Sequence, residues 1–410
     1  CTRKLDQDKW LSTMPGSNYL KIVRNEKNKL MNRELILVIF AILIIIGCED
    51  TKVFKKPDSA KNVIISELSV DTIHLTGGHY SYVGFSETLK TGEVFLIDQK
   101  FGQILQYDTT GHYIKKVLSR GKGPYEYSGG DIYGFWKNNE TYNIIDQSVV
   151  IYTFGHQWNK KSIQQIYWGE QVNEKELLQS PGPDMKGLYY PDFSKFIVRS
   201  ASQKLFFNLN CDHPEYNITS NDYVKEAHII GEVNLGNLSF SNLLGHVVPY
   251  HQNNSHPQFW VHLFDITRDG SFYVNSEPDS VIYKFDPGLK NTHAFGNAGK
   301  QMDNNYMTIQ TFSELGKYHY KERNTKSYYT WLEYIDEIGL LFRSYKKSKD
   351  TEFDGLQIYR NDTLIGDVKV PRGFKVDNYL HPYIYSHVQI DEMAEKMQIL
   401  RFKVQEKWYE

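Results

Sequence analysis

The chain has 410 residues, 23% charged and 40% hydrophobic, with a formal net charge of -2. So even a balance excludes a polyanion binder driven by bulk electrostatics, and no nucleic-acid partner is expected. Three cysteines (Cys1, Cys48 and Cys211) are too few, and odd in number, for a disulfide framework, while the 30 tyrosines favour strands.

Residues 1–30 show no amphipathic period and are set aside as a non-native or misassigned leader. From Met31 the chain reads MNRELILVIFAILIIIGCED, with Arg33 as a basic start and an unbroken apolar run of twelve residues from Leu35 to Ile46. As a helix that run spans about 18 Å, short of a bilayer core of about 30 Å, so 31–47 reads as a secretory signal and not as a membrane span. The run ends in Ile-Ile-Gly-Cys, which resembles the bacterial lipobox, although Ile45 stands where Leu is preferred. The resemblance implies lipidation at Cys48 and an outer-membrane anchor, with the protein surface-exposed or, alternatively, on the periplasmic face. Glu49 and Asp50 resemble the surface-export signal of Bacteroidetes lipoproteins. Residues 48–62 are polar and read as a flexible tether.

From Val63 onward the hydrophobic period is two. VIISELSV at 63–70 predicts a strand. GEVFLID (92–98) followed by GQILQYDTTGHYIKKVLS (102–119) predicts strand, turn, strand, turn, strand. An apolar residue, two spacers and an aromatic recur at Ile104–Tyr107, Ile151–Phe154, Ile282–Phe285 and Leu356–Tyr359. Three of these units follow a strand ending in Asp98, Asp146 or Asn275. The offsets are 47, 131 and 74 residues, read as one blade, three blades, and one blade with an insertion. KFIVRSASQKLFFNL and GNLSFSNLLGHVVPY fill the long interval as two weaker units, which makes six. Either KMQILRFKV (396–404) or VIISELSV completes the blade made by the other end of the chain and so closes the ring. The fold class is all-β: a six-bladed propeller of four-stranded antiparallel blades over 63–410. A pair of β-sandwiches would leave the recurring unit unexplained. EQVNEKELLQS (170–180) and TIQTFSELGKYHYKER (308–323) read as short helices or loop excursions.

SRGKGPYEYSGGD (119–131) is the densest cluster of turn residues. It lacks the Ser/Thr of a phosphate loop and leads into a strand, so no helix N-terminus waits for an anion. Gly121, Gly123 and Pro124 are expected to set an unusual turn, with one glycine at positive φ and Arg120 bracing Glu126. In the functional alternative, Arg120, Lys122, Tyr125, Glu126 and Tyr127 line a binding face at a channel mouth.

The stretch FLIDQKFGQILQYDTTGHYIKKV followed by SRGKGPYEY resembles the six-bladed β-propeller lipoproteins of the Bacteroidetes, several of which are known only as domains of unknown function. Members carry a G-[RK]-G-x-G-P-G-E-[FY]-like loop here; Ser119 and Tyr125 stand in place of its first and last glycines.

No cofactor is implied. His246, His251, His256 and His262 are spaced five, five and six apart, which fits no zinc pattern. Cys211 beside His213 lacks the surroundings of a nucleophile. GLYYPDF (187–193), SYYTWLEY (327–334) and HPYIYSH (381–387) offer either stacking faces or strand packing. The expected function is a non-enzymatic envelope lipoprotein, its propeller binding a protein, peptide or glycan. The alternative is a propeller hydrolase or lyase with carboxylates or histidines in the channel. Inward acids or histidines within hydrogen-bond reach would favour the enzyme, and a shallow Tyr/Arg face would favour binding.

Overall fold

The computed structural model describes residues 60–408 apart from 139, 170–173, 200, 201, 212 and 349–351. The leader, the signal segment, Cys48 and the tether up to residue 59 lie outside the described residues. Within them the alternating strands form six antiparallel sheets in a ring, a six-bladed propeller.

Blade 1 is Gly84–Thr88, Val94–Asp98, Gln103–Tyr107 and Tyr113–Arg120, with Glu126–Tyr127 added in parallel. Blade 2 is Ile132–Lys137, Thr141–Asp146, Val150–Gly155 and Lys160–Gln165. Blade 3 is Tyr189–Arg199, Lys204–Cys211, His228–Asn234 and Ser239–His246. Blade 4 is His262–Ile266, Phe272–Ser276, Ile282–Phe285 and Asn291–Phe295. Blade 5 is Tyr328–Ile335, Leu340–Lys346, Phe353–Arg360 and Thr363–Pro371. Blade 6 is Val376–Leu380, Tyr383–Ser386 and Lys396–Lys403, completed by Val70–His74 from the other end of the chain; Gln389–Asp391 adds a short pairing to Lys396–Lys403. The first strand of each blade is innermost and neighbours its counterparts around the axis.

The period of two explains why the blades stack. On Val94–Asp98, Phe95 and Ile97 pack toward blade 2 with Phe135, Tyr142 and Trp158. Val94 and Leu96 pack the other way, with Met397 and Ile399 of blade 6. A strand buried on both faces therefore glues two blades together, as successive side chains point to opposite sides. The recurring apolar-aromatic unit is in each case the third strand of its blade, in blades 1, 2, 4 and 5. Asp146 at the end of the preceding strand accepts from the amides of Ser148 and Val150, and Asn275 donates to the carbonyls of Asp279 and Val281, so both fix the turn that follows.

Three expectations are corrected. The interval of 131 residues holds one blade between two units, not two: both weaker units belong to blade 3, enlarged by a loop and the helix Asn221–Glu226. The sixth blade is the closing one. VIISELSV does not form a single strand either. The chain pairs as Lys61–Ile65, parallel to the outer strand of blade 5, and then as Val70–His74, antiparallel to Lys396–Lys403. The last two tether residues, Lys61 and Asn62, thus open a strand. The 74-residue offset is a single blade step with an insertion carrying the helix Phe312–Thr325, capped by Thr311, whose hydroxyl accepts from the Glu314 amide. EQVNEKELLQS holds the helix Glu174–Gln179.

Candidate functional site

The glycine loop does not have the backbone conformation expected of it. Neither Gly121 nor Gly123 has positive φ. Space is what requires them. The Glu126 carboxylate folds back over the loop and accepts from the Gly123 amide at 2.7 Å, and a Cβ on Gly121 would sit 2.0 Å from Glu126 Oε2. Glu126 is thereby used within the turn and does not pair with Arg120, which instead donates to Asp131 at 2.8 Å and lies over the Tyr127 ring. Tyr127 is fully buried, so it lines no surface, whereas Tyr125 is exposed. The Lys160 amide, on the outer strand of blade 2, donates to the Pro124 carbonyl, and none of Arg120 to Tyr127 lines the central cavity. Gly121→Ala is expected to lower stability by roughly 1–3 kcal/mol, with a smaller loss for Gly123→Ala. Adding Glu126→Ala should recover part of the Gly121→Ala loss in thermal unfolding, and strictly additive losses would refute the clash.

The innermost strands build a different site. They surround a cavity of ≈ 1030 Å³ on the axis. Four carboxyls line it from four blades: Glu87 (blade 1), Asp265 (blade 4), Glu333 (blade 5) and Asp377 (blade 6). Lys195 of blade 3 reaches across to blade 5, donating to the Leu332 carbonyl at 2.6 Å and to Glu333 Oε2 at 2.7 Å, with Asp265 at 4.0 Å. Arg199 Nη2 lies 3.8 Å from Asp265, whose other oxygen accepts from the Tyr334 amide. Asp377 accepts from the Thr88 amide at 3.1 Å and faces His387 Nδ1 at 3.5 Å. Trp331 also lines the cavity. Lys195 lies 4.7 Å and Lys375 5.1 Å from its ring centroid, and His387 meets it edge-on.

Burial and crowding shape the electrostatics. Burial, then the charges of Asp377 and Glu333, hold the Glu87 carboxyl well above its usual range. Burial pushes Glu333 up to about 8, helped by Asp265 and opposed by Lys195. Burial also raises Asp377. Glu333 is ion-paired and still pushed up because burial and the Asp265 charge outweigh the Lys195 ammonium. Burial lowers His387, only partly offset by Asp377, and lowers Lys375 as well. The two groups beside His387 Nδ1, Asp377 and the Ser86 carbonyl, are both acceptors. This assigns the proton of the neutral ring to Nδ1 and leaves Nε2 as an acceptor.

The raised value for Glu333 makes a stability prediction. Its contribution is fully present below the ordinary carboxyl value of 4.5 and is lost as pH rises through about 8. Glu333→Gln, isosteric with the protonated acid, should leave the melting temperature unchanged near pH 5 and raise stability by on the order of 1–3 kcal/mol at pH 9. An equal loss at both pH values would mean that Glu333 acts only as an ionised partner of Lys195.

The other candidates resolve as packing. His251, His256 and His262 gather near Trp260, with the His251 and His262 rings 5.4 Å apart, while His246 stacks on His228 elsewhere. Among the described residues, no group of three or more His, Cys, Asp or Glu is placed to hold a metal. Cys211 is buried and donates to the Tyr216 carbonyl, and His213 Nδ1 is occupied by two backbone amides. In the aromatic clusters Tyr189 and Tyr329 are core residues, whereas Trp331 and His387 reach the channel. The six channel residues Glu87, Lys195, Asp265, Glu333, Lys375 and Asp377 were not singled out by sequence reasoning. Their signal was a charged residue inside or beside an otherwise apolar strand, readable only once the innermost strands are known.

No protein-family model and no curated protein matches the chain. Solved structures do. A DUF4221-family protein from Bacteroides vulgatus is 12% identical with a TM-score of 0.56, the match covering 83% of this chain and 98% of that one. A Bacteroides fragilis protein described as exported is 11% identical with a TM-score of 0.50, over 85% and 99%. At these identities the likeness is one of fold, and both come from the Bacteroidetes, as the loop and blade resemblance implied. Among the described residues no helix is long and apolar enough to cross a membrane.

Proposed function

We propose that this chain is the ligand-binding propeller of an envelope lipoprotein and that its ligand enters the central channel, not the glycine loop. One observation carries the reading. Residues lining the cavity hold five buried polar atoms with no partner in the protein: Thr88 Oγ1, Trp136 Nε1, Arg199 Nε, Trp331 Nε1 and His387 Nε2. Unpaired buried polar groups are costly, about 1–3 kcal/mol each, so five around one cavity mark a region kept for something other than stability. The cavity suits a small molecule or the end of a longer chain. A folded protein partner would have to insert a terminus or loop. The test is a glycan and peptide binding screen on residues 48–410, repeated with Ser194→Trp, which places an indole at the cavity wall. Undiminished binding by that variant would locate the site elsewhere. Anchoring through Cys48 rests on the sequence of 31–48 and is supported by the exported relative in fold. Cys48→Ser should lose palmitate labelling in cells, and retained label would remove the anchor.

A second reading, acid-base hydrolysis or elimination in the same channel, is favoured by His387 and by the inward acids around it, the lining expected of an enzyme. It is oriented by Asp377, kept neutral by burial, and shares the cavity with Glu87, whose carboxyl is held well above its usual range. His387→Gln should then abolish turnover, and equal turnover would dismiss it.

A further inference from the structure

We propose that the channel takes an organic anion, with its carboxylate at Lys375 and its body against the aromatic wall. The inference rests on the channel being the binding site and adds the chemistry of what fills it.

Lys375 carries the argument. It directly precedes Val376–Leu380, the innermost strand of blade 6, lines the cavity and is half-buried. The His387 amide donates to its carbonyl, which ties down the backbone there. Its ammonium lies over the Trp331 ring, and among the described residues no acid is ion-paired with it. Of the charges that act on it, Glu277 attracts, while Arg323 and Lys195 repel. Glu277 is itself held by both arms of the Arg323 guanidinium at 2.7 Å. Lys195 lies 4.7 Å from the same Trp331 ring centroid, so two ammonium groups crowd one ring. A cation with no acid of its own, set beside other cations and half out of water, favours an incoming negative charge.

The acids of the wall leave no matching place for an amine. Glu333 and Asp265 face Lys195, Asp265 also faces Arg199, and Asp377 faces His387. Glu87 has no ion pair, but burial and the charges of Asp377 and Glu333 hold its carboxyl well above its usual range. It therefore offers a proton to a ligand carboxylate and not a charge to an ammonium. Burial lowers Lys375 too, but from an ordinary value of 10.5, far above neutral pH, and a bound anion would favour its charged form further. One uncommitted ammonium suits a carboxylate better than a phosphate, whose second charge would meet Lys195 and Arg199 already facing acids. Phe85, Tyr133 and Phe196, from blades 1, 2 and 3, line the cavity besides Trp331 and are half-buried. They give the ligand's body an apolar wall, the common company of a few placed polar groups in small-molecule sites.

The test is isothermal titration of residues 48–410 with two matched pairs, trigalacturonate with its methyl ester and indole-3-acetate with its amide, and with spermidine. The pairs distinguish an acidic sugar from an aromatic acid. At least one acid is expected to bind, tenfold or more tighter than its neutral partner, and to be lost in Ser194→Trp. Lys375→Met keeps the length of the side chain and strands no acid, and thermal unfolding confirms that it folds. It should erase the gap between that acid and its neutral partner. Silence of both acids overturns the proposal, as does equal binding of acid and neutral partner by the parent chain, which needs no variant. A gap that persists in Lys375→Met overturns the seat of the carboxylate. Spermidine or a neutral probe that binds and is blocked by Ser194→Trp, with the acids silent, overturns the ligand class and leaves the channel reading standing. An acid indifferent to Ser194→Trp removes both.

Discussion

Replacing Arg343 with alanine is expected to destabilise the propeller by about 3–5 kcal/mol, the range for breaking a buried charged network by removing one partner. Arg343 is wholly buried on the second strand of blade 5. Its guanidinium donates to the Asn297 carbonyl at 2.8 Å, the Ser280 carbonyl at 3.0 Å, Gln357 Oε1 at 2.6 Å and the Tyr359 hydroxyl at 3.0 Å, and lies 3.9 Å from the Tyr329 ring centroid. Ser280 and Asn297 belong to blade 4, so one side chain ties two blades together by several bonds. Its removal takes a charged donor from each of those acceptors and leaves a buried cavity the size of the side chain. Arg343→Lys should recover little, because a single ammonium cannot reproduce the planar fork. Urea unfolding measures both variants. A lysine variant as stable as the parent would show that charge alone, not geometry, is what blade 5 needs.

A chain that begins after residue 75 is expected to lose cooperative folding. It lacks Val70–His74, so Lys396–Lys403 becomes an open edge, and it lacks Leu75, whose amide donates to the Met397 carbonyl and whose side chain joins the core between blades 6 and 1. It also loses Ile65 from the core between blades 5 and 6. A synthetic peptide covering 60–76 should restore a sharp thermal transition when added in trans. A truncated chain that melts like the parent would show that the ring stands without its clasp.

What sequence could tell was set by how far each structural cause reaches along the chain. The third strands of blades 1, 2, 4 and 5 were legible because strand, turn and aromatic lie within a few residues of one another. Blade 3 was not: residues 212–227 separate its second and third strands, and a local pattern cannot bridge such an insertion. Gly121 and Gly123 were expected at positive φ and neither is there; what crowds a Cβ at Gly121 is the Glu126 carboxylate, a contact and not a backbone preference. The channel was the least legible part. Lys195, Glu333 and Asp377 stand far apart in sequence and acquire meaning only when the innermost strands are brought around one axis. Trp331 and His387 lay inside aromatic clusters already noted, yet nothing local separates them from the core tyrosines beside them.

The pairing of Val70 with Phe402 sets the order of events during folding. These partners are 332 positions apart, so the strand that completes blade 6 leaves the ribosome long before anything exists for it to pair with. Blades 1 to 5 are made of near neighbours and can form in succession. The final joining must close a loop of almost the whole domain, with the entropy penalty and slow rate that long-range contacts carry. Until then blade 1 has one bare flank, where Val94 and Leu96 await Met397 and Ile399. The order of the strands therefore favours closing the ring only after the last strand of the chain has been made.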